Sequence, residues 1–252
     1  MTYILVTNDD GVHAPGLQAL AEAMQSLGQV AIIAPASNQS ASGHKKTLYT
    51  DIAIEDTTLA NGLSAVGVHG SPADCIALAA MGLRDWPPDL IVSGINRGEN
   101  LSQDVTYSGT VTAALEGAIH GIPALAISLA NRSADAVDDY RIAAETALMV
   151  AQSILQHKLP PLTILNLNVP LGRPKGLRIT RQGVRIFRDA MERGAEGVVR
   201  IGGEPPTGIL DEAGTDLWAI ETGYASLTPI HLDMTAHRFM ADLAAWDIEI
   251  KE

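Results

Sequence analysis

A chain of 252 residues that is 46% hydrophobic and 18% charged is long enough for one sizeable α/β domain with an appended element, and its composition excludes a disordered chain. A net charge of −12 argues against binding long nucleic acids, whose phosphates are met by summed Lys and Arg contacts, while leaving a single nucleotide open as a ligand. The single cysteine, Cys75, excludes an intramolecular disulfide, and with no leader-like segment and no run near the ~20 apolar residues of a membrane span, a cytoplasmic protein without a membrane partner is expected.

The first element, Ile4–Thr7, is short, apolar and partly β-branched, and reads as a buried strand. It runs into Asn8-Asp9-Asp10-Gly11. Neighbouring carboxylates repel, so a fold that keeps both ionised does so most readily with a cation beside them. Open α/β sheets bind ligands just beyond the carboxyl ends of their strands, which is where this pair falls. Taken alone, the segment has two readings: a strand-to-helix turn, because Asn, Asp and Gly are turn formers, or a metal site. Leu17, Leu20, Met24 and Leu27 then recur at helical spacing over Gly16–Leu27.

A second strand, Val30–Ala34, leads into Pro35–His44, with Ser37, Asn38, Ser40, Ser42 and Gly43. A strand over Ala65–His69, a helix over Ser71–Leu83 and a strand over Leu90–Ser93 follow, with Trp86-Pro87-Pro88 as punctuation. The third strand end carries Gly94-Ile95-Asn96-Arg97-Gly98-Glu99-Asn100, and Tyr107-Ser108-Gly109-Thr110 opens a helix through His120. Ala124–Ser128, a helix over Asp139–Leu155 and a strand over Thr163–Asn168 continue the alternation. Such alternation predicts βαβ units, a mostly parallel sheet, and helices on both faces through right-handed crossovers. From Leu177 the character changes. Arg178, Arg181, Arg185, Arg188, Arg193 and Arg200 lie among glycines, which fits a solvated hairpin or an arm for subunit contacts or anion steering. The stretch Thr215–Pro229 reads as strand-like with a break at Gly223.

Carboxylates, amides and hydroxyls therefore gather at four strand ends. Oxygen donors suit hard ions such as Mg²⁺ or Mn²⁺. Ser108 fits an N-cap, and the helix dipole of roughly half a charge makes the same turn a candidate phosphate seat. No Gly-x-Gly-x-x-Gly follows the first strand, and no Walker lysine or Gly-x-Ser-x-Gly motif is present. Of the seven histidines, only His13 and His44 fall in candidate loops, and each is open to a structural or a catalytic role.

The run Ile4-Leu-Val-Thr-Asn-Asp9-Asp10-Gly-Val-His-Ala-Pro-Gly16 resembles the opening of the SurE (survival protein E) family of divalent-metal-dependent 5′/3′-nucleotidases. The likeness continues in Ser93-Gly-Ile-Asn96-Arg-Gly-Glu-Asn100, Asp104-Val-Thr-Tyr107-Ser-Gly-Thr110, Gly121–Ser128 and Asn166–Pro170, so that it spans almost the whole chain. It implies a Rossmann-like core with a projecting β-hairpin and a C-terminal arm. On that basis residues 1–252 form one domain, with 1–176 as core and 177–252 as hairpin and oligomerisation elements. It also implies one divalent ion per subunit on Asp9, Asp10, Ser40 and Asn96, and a homodimer or homotetramer. Two departures stand out. Ser40 and His44 match the family's second loop but Gly43, Lys45 and Lys46 do not, and the hairpin lacks an aromatic cluster common in relatives.

These readings converge on a phosphomonoesterase of nucleoside monophosphates, in which a metal-activated water attacks and Asp9 and Asp10 are catalytic. Phosphate and substrate contacts are expected from Asn8, Gly43, His44, Asn96, Ser108, Gly109 and Thr110. Alternatives are a non-catalytic metal- or nucleotide-binding protein of the same fold and another hydrolase using Asp9 and Asp10.

Overall fold

The structure is a computed structural model describing residues 1–246 and residue 248. In chain order its strands are β1 (Tyr3–Thr7), β2 (Gln29–Pro35), β3 (Ile54–Thr58), β4 (Ser64–Val68), β5 (Leu90–Arg97), β6 (Ala124–Ala130), β7 (Thr163–Pro170), β8 (Leu177–Ile179), β9 (Arg185–Arg193), β10 (Val199–Gly208) and β11 (Ala225–His231). Nine of them form one sheet in the order β3-β4-β2-β1-β5-β6-β7-β11-β8. Every pairing from β4 through β7 is parallel, whereas β3 and β11 run antiparallel to β4 and β7. The mostly parallel α/β sheet is as the alternation predicts, and the Rossmann-like core is as the resemblance implies. Its central strands are apolar along their length because helices cover both faces.

The helices are α1 (Pro15–Met24), α2 (Pro72–Leu78), α3 (Gly109–Ile119), α4 (Arg141–Gln156), α5 (Asp216–Glu221) and α6 (His237–Ala244). α1 and α4 bury Leu17, Leu20, Met24, Ala147, Val150 and Ile154 against one face of the sheet. α2 and α3 bury Ile76, Val111, Ala114 and Leu115 against the other. With only 4% aromatic residues, the two layers are filled by Ala, Val, Ile and Leu. Among the described residues, no helix is long and apolar enough to cross a membrane.

Three expectations need correction. The helix over Ser71–Leu83 is two elements: α2 ends at Leu78 and a π-helical turn, Ala79–Leu83, follows, with Gly82 at φ 104°. That left-handed residue, open to glycine at no steric cost, breaks the helical geometry within the final turn. The stretch Thr215–Pro229 is not one strand. Thr215 caps α5 by accepting from the Trp218 amide at 3.2 Å, and only Ala225–His231 is extended. An N-cap Thr followed by Asp in the first turn outweighed the local strand-like composition. Finally, the chain that was expected to leave the core at residue 177 returns to it, since β8 and β11 pair with each other at the edge of the main sheet. The projecting part is the antiparallel β9–β10 hairpin, most of whose side chains are exposed. Of the expected C-terminal elements, residue 247 and residues 249–252 lie outside the described residues.

Candidate active site

β1 lies between β2 and β5, so its carboxyl end opens at the middle of the sheet. Asp9 is 3% exposed and accepts a hydrogen bond on Oδ1 from the Thr110 hydroxyl. Burial pushes its carboxyl up from 3.8 to about 6, with the Asp10 charge adding to the rise and the Thr110 hydrogen bond opposing it. Asp10 is also raised by burial, countered by the Arg97 amide, which donates to Oδ2 at 3.0 Å. Asn38 Nδ2 donates to the other oxygen of Asp10 at 3.3 Å. Among the described residues neither carboxylate has an ion-pair partner within 4.0 Å. A nearly buried acid with no compensating cation is the chemistry that a bound divalent ion relieves.

The neutral donors are positioned by local geometry. β5 bulges between Ser93 and Asn96, and bulges re-aim side chains beside active sites. A side chain on Gly94 would stand 2.4 Å from the Ile127 carbonyl, so only glycine passes this point. Asn96 Nδ2 donates to the Gly98 carbonyl at 2.8 Å, which leaves its carbonyl oxygen as the free acceptor. The Ser40 amide donates to Asn38 Oδ1 at 2.9 Å, and its hydroxyl makes no hydrogen bond among the described residues. Asp9, Ser40, Asn96 and Ser108 line one cleft of about 590 Å³. Asp10 lines a smaller cavity of about 180 Å³ with Asn38 and Tyr140, and Arg97 belongs to both. No group of three or more His, Cys, Asp or Glu suited to a metal occurs among the described residues. An ion here would therefore rest on two carboxylates plus neutral oxygens, a set that fits Mg²⁺ or Mn²⁺.

α3 points its N-terminus at this cleft. Ser108 Oγ accepts from the Val111 amide at 3.1 Å, so its side chain is the N-cap. A Cβ on Gly109 would come within 2.8 Å of the Asp9 Cβ and 2.9 Å of Ser42 Oγ, so glycine is what lets the helix end approach the acid. The Gly109 and Thr110 amides have no intrahelical partners, the Thr110 amide bears on the Asp9 carboxylate, and the Val111 amide is taken by the Ser108 cap. Two buried polar atoms beside the acids, Ser42 Oγ and Asn8 Oδ1, have no partner among the described residues. Asn8 is fully buried, and its Nδ2 donates to the Gly11 carbonyl at 2.9 Å, so it braces the turn from behind.

Gly43 and His44 lie outside the lining of the cleft. The Gly43 amide donates to the Tyr107 carbonyl at 3.0 Å, and its carbonyl accepts from Thr112 Oγ1 at 2.9 Å. His44 Nε2 stands 3.0 Å from Glu116 Oε2, and Lys46 Nζ 2.8 Å from Glu116 Oε1, with His120 at 3.4 Å. Burial raises the Glu116 carboxyl, but the hydrogen bonds from His44 and Lys46 outweigh it and hold the group down at about 2. The unusual Lys46 thus staples the Ser40 loop to α3. His13 lies apart, 3.5 Å from the Thr57 hydroxyl.

Sequence reasoning placed Arg185 in a solvated hairpin or arm and gave Asp216 no role, whereas the structure uses both to join the hairpin to the core. Arg185 is nearly buried between Glu99 at 2.9 Å and Asp104 at 3.1 Å, joining the base of the hairpin to the cleft. Asp216, fully buried, accepts from the Ser102 amide at 2.6 Å, the Ser102 hydroxyl at 2.9 Å and the Gly183 amide at 2.9 Å. These partners are 33 to 114 positions apart in the chain, so no spacing reveals them.

The family model described as Survival protein SurE matches residues 4–189. The 5′-nucleotidase SurE of Chloroflexus aggregans is 44% identical over 98% of this chain and 100% of its own length. Its counterpart from Syntrophotalea carbinolica is 46% identical over 97% of each chain, and 5′-nucleotidase SurE 1 of Thermus thermophilus is 46% identical over 96% of each. The crystal structure of the SurE protein from Aquifex aeolicus superposes with a TM-score of 0.82 at 37% identity, covering 96% of this chain and 98% of that one.

Proposed function

From the premise that the chain belongs to the SurE family, we propose that it is a divalent-metal-dependent phosphomonoesterase hydrolysing nucleoside 5′- and 3′-monophosphates to nucleoside and phosphate. The observation that carries this is Asp9, buried and without a cationic partner at the carboxyl end of β1, in one cleft with Ser40, Asn96 and the N-terminus of α3. In this reading Asp9, Asp10, Ser40 and Asn96 hold one Mg²⁺ or Mn²⁺ per subunit. When bound, such an ion polarises the phosphoryl oxygens and activates the attacking water, which offsets the repulsion between nucleophile and dianion.

The chain's own residues do the rest. The Thr110 hydroxyl fixes the orientation of the Asp9 carboxylate, and the Arg97 amide that of Asp10. The α3 amides of Gly109 and Thr110, reached past the Ser108 cap, receive the phosphate oxygens, and the partnerless Ser42 hydroxyl is a further donor there. The Glu116 clamp acts through His44 and Lys46 to hold the loop carrying Ser40.

Exhaustive chelation is expected to remove phosphate release from AMP and GMP, and Mn²⁺ or Mg²⁺ to restore it. Release that survives chelation overturns the metal-dependent reading, and nucleotide binding without turnover in the metal-loaded protein favours a binding protein of this fold. The same reading includes a homodimer or homotetramer in the cytoplasm. Supporting association, α6 leaves Phe239, Met240 and Leu243 exposed at 44%, 55% and 42%. Light scattering on the purified chain should give at least twice the monomer mass, and a monodisperse monomer rules the assembly out.

A further inference from the structure

Asp9, Ser40, Asn96 and Ser108 line part of the 590 Å³ cleft and leave the wall on its hairpin side unassigned. β9 alternates its side chains between two faces, so Arg185, Phe187 and Asp189 project the same way. Glu99 and Asp104 hold Arg185 from the cleft side, which turns that face of the hairpin inward. Phe187 and Asp189 line the cleft beyond it, with Ile201 of β10. Gly203 pairs opposite Asp189, so no neighbouring side chain on β10 covers the carboxylate directly across the ladder. The Asp189 side chain makes no hydrogen bond or ion pair among the described residues, although it stands in a cleft that also holds Arg97 and Arg132. In the same cleft, Tyr107 meets Phe187 edge to face, with ring centroids 6.1 Å apart. Both rings keep substantial surface at the mouth of a polar site, at 59% and 39% exposure.

The geometry points to a base seat: the nucleobase lies on the Tyr107–Phe187 pair, and the Asp189 carboxylate reads its donor edge, selecting bases with an exocyclic amine and guanine foremost. This rests on the nucleotide-hydrolase reading and names which nucleotides that site takes. Base stacking on an aromatic ring is tolerant of sequence, so the rings alone hold any base. A carboxylate is an acceptor only, and it accepts from amines while repelling carbonyl edges. Guanine presents its N1–H and N2 amine side by side, matching two carboxylate oxygens in a bidentate pair. Hypoxanthine lacks the amine, and the N3–H of uracil is flanked by two carbonyls that a carboxylate repels. The cleft volume falls within the range of small-ligand sites, so base and phosphate ends can be occupied together.

The test compares GMP with IMP, which differ only by the exocyclic amine, and CMP with UMP. Binding of each to the Mg²⁺-loaded chain is titrated by calorimetry, and phosphate release is measured in parallel with glycerol 2-phosphate, which has no base, as a further ester. GMP is expected to bind about tenfold tighter than IMP, and CMP several-fold tighter than UMP. Asp189→Asn should bring each ratio near one while the melting temperature stays the same, and Phe187→Ala should weaken all four by about tenfold. Equal affinities in the unaltered protein, or ratios that persist in Asp189→Asn, overturn the base seat. Absence of phosphate release from glycerol 2-phosphate and from every nucleotide defeats the hydrolase reading instead, and the binding ratios still decide the base seat.

Discussion

Replacing Asp9 with asparagine is expected to lower metal-dependent phosphate release by on the order of a thousandfold or more, and yet to leave the metal-free protein at least as stable at neutral pH. The two halves have one cause. Burial raises the Asp9 carboxyl from 3.8 to about 6. A group raised in the folded state contributes stability that is fully present below its unfolded pKa and is lost as pH rises through the folded value. Above pH 6 the metal-free protein therefore carries an ionised, nearly buried acid, at a cost of roughly 3 kcal/mol relative to pH below 4. Asparagine keeps an acceptor for the Thr110 hydroxyl and removes the charge. At pH 8 without metal, the melting temperature of Asp9→Asn should equal or exceed that of the parent, and the difference should vanish near pH 4. Mg²⁺ or Mn²⁺ should raise the parent's melting temperature at pH 8, less so at pH 5 where protons compete, and leave the variant unmoved. Undiminished turnover, or an equal metal response in both proteins, removes Asp9 from the site.

The second large effect is expected far from the acids. Asp216→Ala should destabilise the chain by about 4 kcal/mol or more, a fall in melting temperature of roughly 10 °C. Asp216 is fully buried and accepts from the amides of Ser102, Gly183 and Leu217 and from the Ser102 hydroxyl. Truncation leaves those donors buried and unpaired, which costs more than the loss of the bonds themselves. Two of them belong to segments that shape the cleft. Ser102 opens the 3₁₀ turn carrying Asp104, and Gly183 begins the run into Arg185 and the hairpin. Limited proteolysis should accordingly cut Asp216→Ala between residues 183 and 210 faster than the parent. Asp216→Asn retains one acceptor but turns an amide toward donors, so an intermediate fall is expected. A change of under about 1 °C, with unaltered protease resistance, would mean that this carboxylate does not anchor the hairpin.

Glu116 shows why the second loop of this chain tolerates Lys46, while nothing in the structure explains Lys45. Lys46 is not a stray charge in a phosphate loop. It closes on the buried Glu116 carboxylate together with His44, and Ser71 Oγ donates to the Lys45 carbonyl at 2.6 Å. Thr47 adds its amide and hydroxyl to Asp74 of α2 at 2.7 and 2.8 Å. The loop is thus pinned to both helices of one layer, which holds it in place without drawing Gly43 or His44 into the cleft.

The strands of the parallel core, α1, α3, α4 and the place of the acidic pair at the end of β1 were determined by the sequence alone. Each follows from periodicity and turn chemistry within a few residues, and a buried parallel strand must be an apolar run whatever surrounds it. The acidic pair was legible as a possible cation site from its own chemistry, whereas Ser40 and Asn96 joined it as proposed ligands only through family resemblance, because they lie on a separate loop and on the end of β5. Only the tertiary structure decided that Asp9 is buried beside α3 while Asp10 opens into a second cavity, that His44 belongs to a clamp, and that Asp216–Glu221 turns helical. It alone also brought Arg185, Phe187 and Asp189 against the cleft. β3 and β8 are edge strands with largely exposed residues, so no hydrophobic alternation announced them. The physical reason is common to all of these: burial, pairing and carboxylate pKa depend on neighbours distant in the chain, and sequence pattern reports only on what lies within a turn or two of each residue.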